Sequence, residues 1–194
     1  MSQNRPTKAE VRASLRAIEP PADRAQAEAA IVESLREVCS EDEKGVLAYL
    51  WLGDEPRIDD LMQWLLSRGR CVCVPMVDWS AGEMAPGRVG NLDSLVTGRY
   101  GVREPEGGSE VVPILEIGTV LVPGVGFDRD GYRLGRGGGF YDRFLSRLGP
   151  EVRRVGVVFE NRVVACVPRD PWDEKVERIV TERGVAVVRG ALER

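Results

Sequence analysis

The chain has 194 residues, 43% hydrophobic and 30% charged, which is the balance of a folded protein with room for one substantial core. A net charge of −4 argues against a general nucleic-acid or membrane-surface binder, so any groups that bind anions must be local. Histidine is absent altogether, which excludes Ser-His-Asp and Cys-His catalysis and any imidazole base.

Thr7-Lys8-Ala9-Glu10 has the form of a capping box and predicts a helix starting at Thr7. Val11, Leu15 and Ile18 give that helix one apolar stripe, and Pro20-Pro21 stops it. Lys8, Arg12 and Arg16 stand at i, i+4 and i+8, where like charges repel and a cation at the helix start is disfavoured. The stripe suits either a solvated face or one neutralised by an outside anion. Ala27, Ala30, Ile31, Leu35 and Val38 predict a second helix over roughly 23–38.

Residues 45–52, GVLAYLWL, form a continuous apolar run that predicts a strand covered on both faces. Asp54-Glu55 follow at its carboxyl end, where open α/β sheets hold ligands; they also suit an acidic cap for the next helix. That helix is predicted over 58–68, closed by Gly69, with the next strand over 70–77. Cys71 and Cys73 alternate along it and so share a face; with no CxxC spacing they read as buried thiols of a reducing compartment.

Glycines punctuate residues 78–118, which read as short strands and loops around the same core rather than a linker. Strands are predicted over 119–122 and 155–158, with a helix over 139–148 between them and two short strands, 178–181 and 185–188, at the end. The expected fold is α/β: one three-layer domain over 1–194, with a mostly parallel central sheet and helices on both faces. No apolar run approaches the roughly 18 residues of a membrane span, and the first residues lack the apolar centre of a signal peptide. A cytoplasmic protein is expected.

The most informative stretch is Leu121 to Leu145, LVPGVGFDRDGYRLGRGGGFYDRFL. Seven glycines fall between Gly124 and Gly139, interleaved with Arg129, Arg133 and Arg136. Glycine lets backbone amides approach a ligand closely, and arginine offers a fork of donors to phosphate oxygens. The loop is neither a Walker A nor a GxGxxG motif, yet it runs straight into a helix bearing Tyr141 and Asp142. Phosphate binding is the favoured reading over a merely flexible turn. Asp142 suits either a helix-start acid or a magnesium ligand, and Phe140 and Tyr141 either core packing or stacking on a flat ring.

PGVGFDRDGYRLGRGGGFYDRFL resembles the signature of the 5-formyltetrahydrofolate cyclo-ligase family, also called methenyltetrahydrofolate synthetases. Other family features occur in order: the Lys8/Arg12 pair, Asp54-Glu55, Gly82-Glu83-Met84, Glu104-Pro105, Val167-Pro168, Asp173 and Ile179-Val180-Thr181-Glu182. The resemblance covers nearly the whole chain. It implies ATP contacts at Lys8, Arg12, Arg133, Leu134, Gly135, Arg136, Gly137, Gly138, Gly139, Phe140 and Tyr141. It implies folate contacts at Leu50, Glu55, Arg136, Gly137, Gly138, Gly139 and Phe140, magnesium at Asp142 and Asp173, and catalytic roles for Arg136 and Arg133.

The implied reaction converts 5-formyltetrahydrofolate, with or without a polyglutamate tail, and ATP to 5,10-methenyltetrahydrofolate, ADP and phosphate. The implied partners are these small molecules and Mg²⁺, with no nucleic acid, no membrane and a monomeric protein. Both nucleophiles belong to the substrate, which agrees with a chain lacking histidine. The alternatives are a non-catalytic nucleotide- or folate-binding member of the same fold, and a sugar-phosphate enzyme of similar architecture.

Overall fold

The computed structural model describes residues 6–98, 101–105, 107 and 109–188. The capping box forms as the sequence predicts: Thr7 Oγ1 accepts from the Glu10 amide and the Glu10 carboxylate accepts from the Thr7 amide, opening helix α1, Lys8–Arg16. Asp23 caps α2, Arg24–Ser40, by accepting from the Gln26 amide. After strand β1, Gly45–Leu47, comes α3, Asp59–Ser67, which ends ahead of Gly69 at a φ of 70°.

The chain continues through β2 (Val72–Asp78), β3 (Glu83–Val89), β4 (Leu95–Thr97), β5 (Arg103–Pro105) and β6 (Ile117–Pro123). A hairpin of β7 (Gly126–Asp128) and β8 (Arg133–Leu134) precedes helix α4, Phe140–Leu145. Strands β9 (Arg153–Val157), β10 (Val163–Val164), β11 (Arg178–Thr181) and β12 (Gly184–Val187) follow.

The main sheet has seven strands in the order β12-β11-β9-β6-β1-β2-β3. Pairing is parallel from β11 through β9, β6 and β1 to β2, while the edge strands β12 and β3 run antiparallel to their neighbours. Side-chain alternation sends Val46, Val72, Val74, Leu121, Val155 and Val157 into one core with α2 and α3. It sends Leu47, Cys73, Val120, Val122 and Ile179 into another with Phe144 and Leu145 of α4. Helices therefore cover both faces of a mostly parallel sheet, as expected for the α/β class.

Two predicted elements are shorter than expected. Of residues 45–52 only Gly45–Leu47 pair as a strand; Ala48, Tyr49 and Leu50 stay buried but enter a compact turn. Its polar groups are satisfied within the turn and from α2: Tyr49 Oη donates to the Pro56 carbonyl at 2.8 Å, and Arg24 donates to the Gly53 and Glu55 carbonyls at 2.8 and 2.9 Å. The helix predicted over 139–148 is regular only over Phe140–Leu145, because Arg147 and Leu148 close tighter turns, donating to Phe144 and Leu145 at 3.1 Å.

From β1 the chain moves outward to β2 in one direction, and from β6 to β9 and β11 in the other. The order reverses between β1 and β6. Open α/β sheets form a crevice at the carboxyl ends of such a strand pair. The turn carrying Asp54 and Glu55 leaves from β1 and the glycine-rich hairpin leaves from β6, so both line that end of the sheet.

Candidate active site

Leu50 and Glu55 lie in the turn after β1, 6% and 4% exposed. Glu55 Oε2 accepts from the Leu52 amide at 2.9 Å, and the Glu55 amide donates to the Leu52 carbonyl at 2.6 Å, which pins the carboxylate to its own turn. Burial pushes the Glu55 carboxyl above the usual range, and the Arg136 guanidinium opposes that rise.

The other wall is the hairpin after β6. Asp128 Oδ1 accepts from the amides of Asp130 and Tyr132, and Oδ2 from that of Val167, so one buried carboxylate sets the hairpin and ties it to the C-terminal segment. At Gly131 the φ is +87° and a Cβ would come within 2.5 Å of the Val176 carbonyl, so the hairpin requires glycine there.

Arg133 follows, 8% exposed; its Nη2 donates to Asp142 Oδ2 at 2.9 Å, and the guanidinium lies 5.3 Å from the centre of the Tyr141 ring. Leu134 packs with Leu15, Val125 and Val167 in a small third core that seats α1 on the hairpin. Seated this way, α1 aims Lys8 and Arg12 of its basic stripe inward, while Arg16 is exposed. Arg12 Nε donates to the Gly135 carbonyl at 2.9 Å, and Lys8 Nζ meets Asp173 at 2.6 Å and Asp170 at 2.8 Å. Burial alone lowers the Lys8 ammonium, but its bonds to Asp170 and Asp173 outweigh that and hold it above its ordinary value.

Arg136 crosses from the glycine loop to the first wall. Its Nε donates to Glu55 Oε1 at 3.1 Å and its Nη2 to Asp54 Oδ1. Gly137 and Gly139 take left-handed φ values of 109° and 68°. The Gly138 carbonyl accepts from Arg143 at 2.9 Å, and the same guanidinium donates to the Gly82 carbonyl at 2.7 Å, linking the loop to the β2–β3 turn. Across that link Phe140 meets Trp79 edge to face, ring centres 5.2 Å apart. Phe140 and Tyr141 both pack, partly buried, against the α4 core. The Tyr141 hydroxyl is buried without a partner among the described residues, and burial, then the Glu55 charge, raises it.

The predicted residues are thus brought into four linked contacts: Arg136 with Glu55, Arg133 with Asp142 and Tyr141, Arg12 with Gly135, and Lys8 with Asp173. The two predicted magnesium ligands, Asp142 and Asp173, engage different cations. Among the described residues no group of three or more carboxylates or thiols could hold a metal unaided. The Gly139 start of α4 carries no side-chain cap and the helix has six residues. Its dipole adds little, so the loop's donors are chiefly its amides and arginines. Sequence reasoning missed Arg162, Asp170 and Trp79. For Arg162 the one available signal was a polar trio, Glu160-Asn161-Arg162, set between apolar runs.

The description "5-formyltetrahydrofolate cyclo-ligase family" belongs to the family model that matches residues 1–182. The chain is 34% identical over 151 residues to a 5-formyltetrahydrofolate cyclo-ligase of Mycolicibacterium smegmatis, covering 74% of this chain and 77% of that protein. It is 30% identical over 139 residues to the cyclo-ligase of Escherichia coli, covering 70% and 76%. The NMR structure of Aquifex aeolicus 5,10-methenyltetrahydrofolate synthetase superposes with a TM-score of 0.79 at 30% identity, over 94% of this chain and 93% of that one. A match running from α1 through β11 takes in both walls of the crevice. The chain belongs to the 5-formyltetrahydrofolate cyclo-ligase family of enzymes.

Proposed function

We propose that the chain uses ATP to close 5-formyltetrahydrofolate to 5,10-methenyltetrahydrofolate, releasing ADP and phosphate. The observation that carries this reading is Arg136, a cation of the glycine loop held against the buried Glu55 where the strand order reverses. One side of that contact is rich in donors for phosphate; the other offers a desolvated carboxyl group to a polar heterocycle.

In this reading the formyl oxygen attacks the γ-phosphorus and the bond to ADP breaks. N10 then attacks the formyl carbon, losing its proton, and the carbon–oxygen bond breaks to expel phosphate. The protein's part is to align the groups and stabilise the transferring charge. Arg133 and Arg136 would face that phosphoryl group, with Lys8, Arg12 and the stretch from Leu134 to Tyr141 holding the nucleotide. Leu50, Glu55 and the loop from Gly137 to Phe140 would hold the folate. The reading needs no partner chain and no membrane, and suits a cytoplasmic monomer whose folate carries or lacks further glutamates.

Magnesium fits as an ion carried by the nucleotide, because Mg²⁺ takes one or two carboxylates plus phosphates and keeps its waters. Asp142 and Asp173 would hold it, and when bound it would neutralise phosphate charge. Mixing purified protein with 5-formyltetrahydrofolate, ATP and Mg²⁺ should generate the methenyl chromophore, and leaving out ATP should abolish it. No product from folded protein would refute the reading.

A further inference from the structure

Arg162 is among the largest fully buried side chains, at 1% exposure. Its Nη2 donates to the Ile18 carbonyl at 3.0 Å, just beyond the end of α1, while Nη1 reaches Asp54 Oδ2 at 3.2 Å and the Val125 carbonyl at 3.5 Å. Ile18, Asp54 and Val125 belong to the three segments that carry the candidate site: the basic helix, the turn after β1 and the hairpin after β6. A buried guanidinium needs an acid, and among the described residues its one salt-bridge partner is Asp54. Asp54 is shared, because its other oxygen receives Arg136.

The two arginines differ in freedom. Arg162 is enclosed, whereas the Arg136 side chain is 34% exposed. With Arg162 on Oδ2, Asp54 can offer Arg136 only Oδ1 and cannot grip the guanidinium fork with both oxygens. When Arg136 turns toward a phosphoryl group, Asp54 keeps a cation.

We propose that Arg162 is a positioning residue: by occupying one oxygen of Asp54 it leaves Arg136 free to leave that carboxylate for a phosphoryl group. This rests on the cyclo-ligase reading. Removing Arg162 should trap Arg136 on Asp54, and removing Asp54 as well should free it from that carboxylate and leave only its bond to Glu55.

The test compares Arg162→Met, Arg162→Lys and the Arg162→Met/Asp54→Asn double variant, scoring kcat, KM for each substrate and affinity for inorganic triphosphate. Arg162→Met should lose about ten- to a hundredfold in kcat and triphosphate affinity, the range of coupled charge networks, with folate KM changed less than about threefold. Arg162→Lys keeps the cation and should stay within about threefold of wild type, and the double variant should recover at least about tenfold over Arg162→Met. A folded Arg162→Met with wild-type kcat, or a double variant no better than Arg162→Met, overturns the proposal, since a packing role alone predicts no rescue.

Should Arg162→Met fail to fold, a folded Arg162→Lys with a kcat loss beyond about tenfold would mean that hydrogen-bond shape, not charge, is what counts, and would overturn it too. If wild type makes no methenyl product but binds triphosphate, the functional reading fails and the binding series decides the proposal. If wild type does neither, both fall.

Discussion

Nη2 of Arg133 donates to Oδ2 of Asp142 at 2.9 Å, joining the start of the glycine loop to the first turn of the helix that follows it. The loop's two ends are therefore tied before any ligand arrives. The Arg133 side chain is 7% exposed, so Asp142→Ala leaves a nearly buried cation unpaired. We expect Asp142→Ala to lose about 1–3 kcal/mol of stability and most methenyl-forming activity. Asp142→Asn keeps an acceptor and should recover most of the stability but little of the activity. Thermal denaturation and the methenyl assay on both variants check this, and equal recovery of the two quantities would count against it.

Glu55 has the opposite electrostatic character. Its folded pKa lies above the unfolded value because burial disfavours the charged form. The folded state therefore holds the proton more tightly, and the stability this group contributes is present below its unfolded pKa and lost as pH rises through the raised one. Glu55→Gln removes that loss. The variant should gain stability relative to wild type as pH goes from about 4 toward 7, while folate turnover falls. Denaturant midpoints of both proteins across this range measure it; a constant difference would show that Glu55 does not titrate there.

Lys8 supplies the third test. Its pKa is held above the ordinary value by Asp170 and Asp173 against burial, so its stabilising contribution is present below the unfolded pKa near 10.4 and is lost as pH climbs through the raised one. The Lys8–Asp170 pair is screened, its side chains being 25% and 43% exposed, but the Asp173 side chain is 8% exposed, so losing Lys8 leaves a nearly buried carboxylate without its cation. Lys8→Met should therefore lower the melting temperature at neutral pH, with a stability loss of about 1–3 kcal/mol, and raise KM for ATP about tenfold by removing a cation proposed to contact the nucleotide. A normal ATP KM would take Lys8 out of the nucleotide site.

Much of this was legible in the chain because the signals were local. A capping box is read within four residues, and the glycine–arginine stretch 121–145 contains both its turn chemistry and its donors. Alternation from helix to apolar strand was enough for a parallel sheet with two covered faces. What stayed hidden was non-local. The run 45–52 is apolar throughout, and apolarity alone does not separate a paired strand from a buried turn. The antiparallel direction of β3 and β12 depends on turns between edge strands. Arg162 reaches Asp54 across 108 residues, a contact created by the order of strands in the sheet and by nothing in its own neighbourhood.

Two glycines of the signature separate folding from function. Gly131 and Gly137 both have positive φ, +87° and +109°. A Cβ at Gly131 would also meet the Val176 carbonyl at 2.5 Å, whereas a Cβ at Gly137 would, its chain neighbours aside, have no described residue within 4 Å. Gly137→Ala thus carries only the backbone penalty, about 1 kcal/mol, but places a methyl group beside Arg136 on the proposed phosphate path. Gly131→Ala adds a clash with backbone that cannot swing aside, and should cost about 3 kcal/mol or more. We therefore expect Gly131→Ala to lower the melting temperature sharply while its folded fraction keeps near-normal kcat. Gly137→Ala should melt close to wild type and lose about tenfold or more in kcat. Measuring both quantities on both variants decides the matter, because a loop that served only as a flexible turn would tolerate Gly137→Ala without any catalytic loss.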